Sequence, residues 1–473
     1  MNTKDSMPRD CQMSTRHDSY AVINPANEEI ITHCPECSPE RLDEVVEDAR
    51  QAFLGWRKDE ALRRQLLVRC AEVMRANAAS IAKILTAEQG KPYKEALGEV
   101  NFSSWWMKNT ATLSIPTDVL QNDEEGYIEI RRVSLGVVAG IEPWNFPIAL
   151  ATWTIAPALL VGDTVIIKPS PYTPLSTLRF GELLKDILPH GVLTIISGGN
   201  ETGEQLIRHP AIRKIAFTGS IQTGKKVAAS AAPDLKRMVL ELGGNDPAIV
   251  MEDVDPVKTA KDLFWGAFSN NGQVCIAIKR LYVHEKVYSS LIREMAEIAR
   301  SMKVGNGMDP ETQLGPMNNQ MQLMRVIELV EDAKRAGGRI VTGGQRLDGP
   351  GYFYPPTIVA DISNGVRLVD EEQFGPALPV IPFTDLDDVI KRANATHFGL
   401  GGSVWTSDVN RGMEVARQIE SGTCWVNQHA NINPRAPFGG MKWSGIGRQM
   451  GQWDIDSYCD LQSINATRKG QRT

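Results

Sequence analysis

From residue 136 onward, short β-branched apolar runs alternate with segments of helical periodicity, and that alternation leaves few folds open. Val137-Val138-Ala139-Gly140-Ile141 reads as a buried strand, and 147–160 as the helix that follows it. Thr164-Val165-Ile166-Ile167-Lys168 is the next strand, ended by Pro169. A helix over Leu175–Leu188, a strand over Leu193–Ser197, a helix start at Gly203–Arg208, a strand over Lys214–Thr218 and a helix over Gly224–Ala231 continue the pattern. Strands joined by single helices run parallel, because each crossover returns the chain to the same end of the sheet. Ligands of such sheets bind beyond the carboxyl ends of the strands. A second alternating block runs from about 244 to 440, with strands at Pro247–Val250 and Arg280–Val283 and a long amphipathic helix over 287–302. Residues 39–115 have helical spacing, and Tyr127–Val138 alternates like a strand or hairpin. Two α/β domains, with Cys275 early in the second, is the simplest partition.

The bulk numbers exclude several classes. The length of 473 residues predicts two to three domains. A net charge of −6 and the absence of any long basic run argue against a nucleic-acid partner. The most apolar stretch, Phe146–Val161, contains Pro147 and Pro157 and falls short of the ~20 residues a membrane span needs, so it reads as a buried helix. No membrane partner is expected, and Met1–Tyr20 lacks the apolar core of a secretory signal. Seven cysteines, an odd and sparse set, fit a reducing compartment, so the expected location is the cytoplasm. Cys34-Pro35-Glu36-Cys37 has no second pair at zinc spacing; it reads as an incidental surface loop, and no metal site is expected.

Three turns carry chemistry. Cys275 ends Asn270-Asn271-Gly272-Gln273-Val274-Cys275, Glu241 opens Glu241-Leu242-Gly243-Gly244-Asn245, and Asn145 lies in Pro143-Trp144-Asn145-Phe146-Pro147. A thiol, a carboxylate and an amide are the groups needed to form a covalent adduct of a carbonyl and then hydrolyse it. The Asn145 amide and the Cys275 backbone N–H would donate to the oxyanion, and Glu241 would take a proton from water. Phe217-Thr218-Gly219-Ser220-Ile221-Gln222-Thr223-Gly224 joins a strand to a helix and suits a pyrophosphate at a helix N-terminus. The run Gly219 to Lys226 resembles a Walker A loop but has Lys226 where that loop needs Ser or Thr for magnesium, which argues against a nucleotide triphosphatase. Lys168, at a strand end, could bond a ribose hydroxyl; taken alone it reads as a solvated lysine.

Seven ordered motifs then carry a resemblance: PWNFP (143–147), Lys168-Pro169, FTGS with its later glycine (217–224), ELGG (241–244), GQVC (272–275), EEQFGP (371–376) and PFGGMKWSGIGR (437–448). Over roughly residues 20–465 the chain resembles the NAD(P)-dependent aldehyde dehydrogenase superfamily. The resemblance implies an α/β fold of two doubly wound parallel-sheet domains plus a small β oligomerisation arm. It assigns 1–122 and 137–243 to dinucleotide binding, 244–450 to catalysis, and 123–136 with 451–473 to the arm, implying a homodimer or homotetramer. It implies oxidation of an aldehyde to a carboxylic acid, with Cys275 as nucleophile, Asn145 as oxyanion donor and Glu241 as the base for hydrolysis. Trp144, Lys168, Ser170, Gly219, Ser220, Gly224, Leu242, Glu372 and Phe374 would bind NAD or NADP. Phe146, Leu150, Trp153, Val274, Ile276, Ile432 and Phe438 would line an apolar substrate pocket. Pro171 stands where NAD-preferring relatives often carry a glutamate, which leaves the cofactor preference open. Gln449 replaces a glutamate that relays protons in many relatives. Arg435 reads as a solvated or interface arginine, with the carboxylate anchor of a semialdehyde as its alternative, and His429 as a loop residue. A CoA-acylating enzyme and a non-catalytic structural relative are the competing readings; the intact Glu241, Cys275 and Asn145 disfavour both.

Overall fold

Two largely parallel sheets organise the chain, one for each alternating block. The computed structural model describes Pro8 and residues 19–468. The other residues of 1–18, and 469–473, which the expected partition gives to its first and last segments, lie outside the described residues. The first sheet has the strand order Gly445–Ile446, Arg237–Glu241, Ile212–Thr218, Val137–Ile141, Thr164–Lys168, Leu193–Ile195. All pair in parallel except Gly445–Ile446, a two-residue strand from the far end of the chain that runs antiparallel to Arg237–Glu241.

Helices cover both faces of this sheet, and the strands show why. Val138, Val165 and Ile167 point into one buried cluster, while Val137, Ala139 and Ile166 point into the cluster on the opposite face. That is the alternation of a pleated strand with apolar residues on both sides, which only a sheet buried on both faces tolerates. The helix Pro147–Val161 is buried along its whole length. It packs with Glu60–Ala76 and Tyr93–Thr110 on one face of the sheet, so its apolarity is that of an internal helix. Among the described residues no helix is long and apolar enough to cross a membrane.

The chain runs from Val137–Ile141 outward through Thr164–Lys168 and Leu193–Ile195, then returns to the other side at Ile212–Thr218. This reversal opens a crevice where Glu142–Pro147 and Gly219–Ser220 leave the sheet, the place where doubly wound sheets bind ligands.

The second sheet has seven strands in the order Arg339–Thr342, Thr357–Ala360, Ala377–Phe383, Ile278–His284, Asp246–Val250, Gly401–Trp405, Thr423–Val426. Only Arg339–Thr342 pairs antiparallel. Ala248 and Val250 face one flanking cluster and Ile249 the other.

Three expectations change. Tyr127–Val138 is neither one strand nor a hairpin. Gly126–Ser134 belongs to a three-stranded antiparallel sheet with Asp118–Asn122 and Cys459–Thr467, and Val137–Ile141 belongs to the first parallel sheet. Leu135-Gly136 breaks the run, with Gly136 at φ 131°, a left-handed conformation that glycine adopts freely. The helix from Leu175 ends at Leu184, and the following strand spans Leu193–Ile195 only. Only half of the Cys34–Cys37 segment is a surface loop: Cys34 is buried at the end of the strand Ile30–Pro35, in an N-terminal ribbon with Ser19–Ile23, while Glu36 is exposed in the connection that follows.

Candidate active site

The turn that carries Cys275 is built from strained backbone. Asn270, Asn271 and Gly272 are consecutive left-handed residues, with φ of 47°, 54° and 75°. Asparagine tolerates this region better than most residues, and each such residue costs roughly 1 kcal/mol. Buried amides fix the turn. Gln273 donates to Asn270 O at 3.0 Å and Pro316 O at 3.2 Å and accepts from the Asn318 N–H at 2.8 Å. Lys279 Nζ donates to Gly272 O at 2.8 Å and Gln373 O at 2.9 Å. A side chain at Gly272 would run into the Gly375 carbonyl.

Asn145 reaches this turn from the first sheet: its Nδ2 donates to Gln273 O at 3.0 Å. Its backbone carbonyl accepts from Lys91 Nζ at 2.8 Å and Asn270 Nδ2 at 3.2 Å. Lys91 is ion-paired to Glu99 at 2.6 Å with both side chains buried, and Glu99 accepts from the N–H groups of Ile148 and Ala149 at 3.0 and 3.2 Å. One carboxylate thus caps the helix Pro147–Val161 while its lysine holds the Asn145 loop. The sequence reading missed Lys91 and Glu99, because nothing local links residues so far along the chain from Asn145.

Glu241 ends the strand Arg237–Glu241 and is buried, with no hydrogen-bond partner for either carboxylate oxygen among the described residues. Burial pushes its carboxyl well above the usual range, with Arg448 opposing and the charge of Asp454 adding. The Cys275 thiol is pushed up to about 12, first by burial and then by the carboxylates of Asp246, Glu241 and Glu372. The thiol is therefore protonated at rest. Glu372, itself raised to about 7 by burial, accepts from the Gly244 N–H at 3.1 Å.

The expected cofactor residues fall into two groups. Trp144 and Phe374 meet edge to face, with centroids 5.3 Å apart, beside Glu372 and the Gly243-Gly244 turn. Ser220 caps the helix Ile221–Ala231 by accepting from the Thr223 N–H at 3.2 Å, and the Gly219 N–H donates to Glu241 O at 3.0 Å. A Cβ at Gly224 would stand 2.5 Å from Leu242, so the glycine lets this helix lie on the strand end. Lys168, at the end of the strand Thr164–Lys168, is buried and donates to Pro169 O at 3.0 Å and Gly198 O at 2.9 Å. Burial lowers its ammonium to about 8. Ser170 is buried in the turn that follows, where it accepts from the Tyr172 N–H at 3.3 Å. Gly203 leaves room for the lysine stem, since a Cβ there would stand 3.2 Å from Lys168 Cε. A glycine-cleared crevice with a helix N-terminus, a lysine and a carboxylate along its length fits a dinucleotide.

All seven expected pocket residues share one apolar cluster with Cys275: Leu150, Trp153, Ile276 and Phe438 are buried, and Phe146, Val274 and Ile432 are half-buried against them. Trp153 bridges Phe438 and Trp106, each at 5.7 Å. Beyond Ile432 a cavity of about 480 Å³ opens, lined by Trp105, Trp106, Leu113, Pro434 and Arg435. Among the described residues Arg435 is its one charged lining residue. The adjacent Trp105-Trp106 pair was the sequence signal for this wall, masked by its position in an ordinary amphipathic helix. His429 is also more than a loop residue: its side chain is buried, Nε2 lies 2.6 Å from Ile276 O and Nδ1 2.9 Å from Ser403 Oγ. Gln449 is buried and exchanges two backbone bonds of 2.8 Å with Phe438.

The profile of the aldehyde dehydrogenase family matches residues 12–464. This chain belongs to that family. Phenylacetaldehyde dehydrogenase of Pseudomonas fluorescens is 37% identical over 463 residues, covering 94% of this chain and 91% of the relative. Retinaldehyde dehydrogenase 3 of Mus musculus is 36% identical over 477 residues, covering 98% and 92%. Among solved structures, an aldehyde dehydrogenase from Bacillus cereus in complex with NAD+ superposes with a TM-score of 0.93 at 34% identity, covering 95% of this chain and 93% of that one. The chain is an aldehyde dehydrogenase that depends on a nicotinamide cofactor.

Proposed function

We propose that Cys275, Asn145 and Glu241 oxidise an aldehyde to its carboxylic acid by a covalent route. The observation that carries this is convergence: the Asn145 amide is bonded into the Cys275 turn, and the Glu241 carboxylate bears on the Cys275 thiol. Cys275 Sγ gives its proton to the ionised Glu241 carboxylate, which passes it to solvent, and the sulfur attacks the aldehyde carbon. Asn145 Nδ2, now donating to Gln273 O, turns to the new oxyanion, with the Cys275 backbone N–H as second donor. A nicotinamide cofactor, when bound, would supply the hydride acceptor. Loss of hydride from the tetrahedral carbon leaves a thioester on Cys275. Glu241 then takes a proton from water, which attacks the thioester, and the Cys275 thiolate departs. A buried carboxyl with a raised pKa is a strong base once ionised, which suits this role.

Lys168 would bond the adenosine ribose, with Ser170 beside it. Trp144, Gly219, Ser220, Gly224 and Leu242 would surround the pyrophosphate and adenosine. Glu372 would bond the nicotinamide ribose, and Phe374 would lie beside the ring. Residues 1–122 with 137–243 would act as the cofactor domain, 244–450 as the catalytic domain, and 123–136 with 451–473 as a homo-oligomerisation arm. The Phe146, Leu150, Trp153, Val274, Ile276, Ile432 and Phe438 walls favour a medium aliphatic or aromatic aldehyde, in line with the phenylacetaldehyde named for one relative.

The test uses Cys275→Ala and Glu241→Gln. Cys275→Ala should abolish reduced-cofactor formation while cofactor binding survives; retained oxidation would overturn the covalent route. Glu241→Gln should give one burst of reduced cofactor per site and an acyl adduct on Cys275 by intact mass. Full turnover in that variant would remove Glu241 from its role. In a substrate panel, a marked preference for carboxy-aldehydes would instead give Arg435 the substrate carboxylate.

A further inference from the structure

We infer that Glu36 sets the cofactor preference: its carboxylate replaces the acidic group missing at Pro171 and makes the enzyme select NAD over NADP. The inference rests on the reading of Lys168 as the ribose residue. Pro171 offers no charge, and nothing else in the Lys168-Pro169-Ser170-Pro171 turn would repel a phosphate.

Glu36 arrives from the opposite end of the chain. It follows the strand Ile30–Pro35, and two bonds fix the segment against the first sheet: the Cys37 N–H donates to Ser197 O at 3.1 Å, and Ser197 Oγ to Pro35 O at 2.6 Å. A single peptide group then joins Glu36 to Lys168. The Gly198 carbonyl accepts from Lys168 Nζ at 2.9 Å, and the Gly199 N–H of the same peptide donates to Glu36 Oε2 at 2.9 Å. Two hydrogen bonds and the width of one peptide place the ammonium and carboxylate within about 8 Å of each other, inside one screening length at physiological salt. The negative charge of Glu36 accordingly favours the charged form of Lys168.

Both hydrogen-bond partners of Glu36 are neutral donors, the Gly199 N–H at 2.9 Å and Thr202 Oγ1 at 3.2 Å. Glu201, in the first turn of the helix Asn200–Arg208, adds a second negative charge to the same end. A ribose hydroxyl gains a donor from Lys168 and loses nothing to these carboxylates. A ribose phosphate, carrying between one and two negative charges, would gain from one lysine and be repelled by both acids.

The experiment titrates NADH and NADPH, by quenching of protein fluorescence, into the full chain and its Glu36→Gln and Lys168→Met variants. Wild type should bind NADH at least about tenfold more tightly than NADPH. Glu36→Gln should pull that ratio towards unity by tightening NADPH, with the NADH Kd moving less than about threefold. A wild-type preference for NADPH overturns the inference. So does an unchanged ratio in Glu36→Gln, which, with a lowered Tm, would leave Glu36 as a helix cap. Lys168→Met should weaken both cofactors; if it weakens neither, the ribose reading of Lys168 fails, independently of Glu36. Should Glu36→Gln not fold, the wild-type ratio itself decides: it should shrink as salt is raised, and a salt-independent ratio overturns the inference.

Discussion

At the scale of single residues, the site depends on groups that hold the reacting ones. His429 is the clearest case. Ile276 O accepts only, so His429 Nε2 carries the proton, and Nδ1 accepts from Ser403 Oγ, which in turn accepts from Trp405 Nε1 at 2.9 Å. Burial lowers this imidazole to about 4, so it stays neutral in every working buffer and acts as a fixed clamp one residue beyond Cys275. His429→Phe would leave the Ile276 carbonyl and the Ser403 O–H donor without their partner, at roughly 1–3 kcal/mol each. We expect a Tm several degrees lower and kcat reduced at least tenfold, with cofactor Kd unchanged. A melting curve, steady-state rates and a binding titration check this; wild-type kcat would reduce His429 to packing. The motif residues Cys275, Glu241 and Asn145 were legible because turns with such chemistry have local signatures. His429, Lys91 and Glu99 were not, because their partners lie on other elements.

Between elements, buried polar contacts do what apolar packing cannot: they hold one register. Glu142 leaves the end of the strand Val137–Ile141, and its carboxyl accepts from Thr154 Oγ1, inside the helix Pro147–Val161, at 2.9 Å. Burial raises Glu142 from 4.5 to about 8, with the Thr154 hydroxyl opposing. The folded chain therefore keeps a proton that the unfolded chain releases. The stability this contributes is complete below about pH 4.5 and is lost as pH rises towards 8, by up to about 1.4 kcal/mol per pH unit. Glu142→Gln should remove that loss: urea unfolding at pH 5.5 and 7.5 should show a smaller fall in stability for the variant than for wild type. Equal falls would mean Glu142 is already ionised. The elements themselves were read well where their periods were strong, from the helices of 39–110 to the strands flanking the crevice. The run Tyr127–Val138 was misread because alternation continues across Leu135-Gly136 although the chain changes sheets there.

Across the whole molecule, the three-stranded sheet leaves apolar side chains open on both of its edge strands. Cys459–Thr467 pairs residue for residue with Gly126–Ser134, and Asp118–Asn122 closes the other side. Leu461 and Leu120 are 64% and 66% exposed, and Val119 is 52% exposed. Apolar side chains on open strand edges invite a partner chain. The double variant Leu120→Lys, Leu461→Lys should sediment as a smaller species than wild type while keeping its secondary structure; unchanged sedimentation would place any subunit contact elsewhere. The parallel-sheet class, the buried helix expected over 147–160 and the three chemical turns are written locally, because period, β-branching and turn residues act within a few positions. Packing in three dimensions is what brings Gly445–Ile446 into the first sheet, sets Glu36 opposite Lys168 across one peptide and holds His429 against the Cys275 turn. Those contacts join residues more than a hundred positions apart, and their pairing follows from how the layers pack rather than from any local pattern.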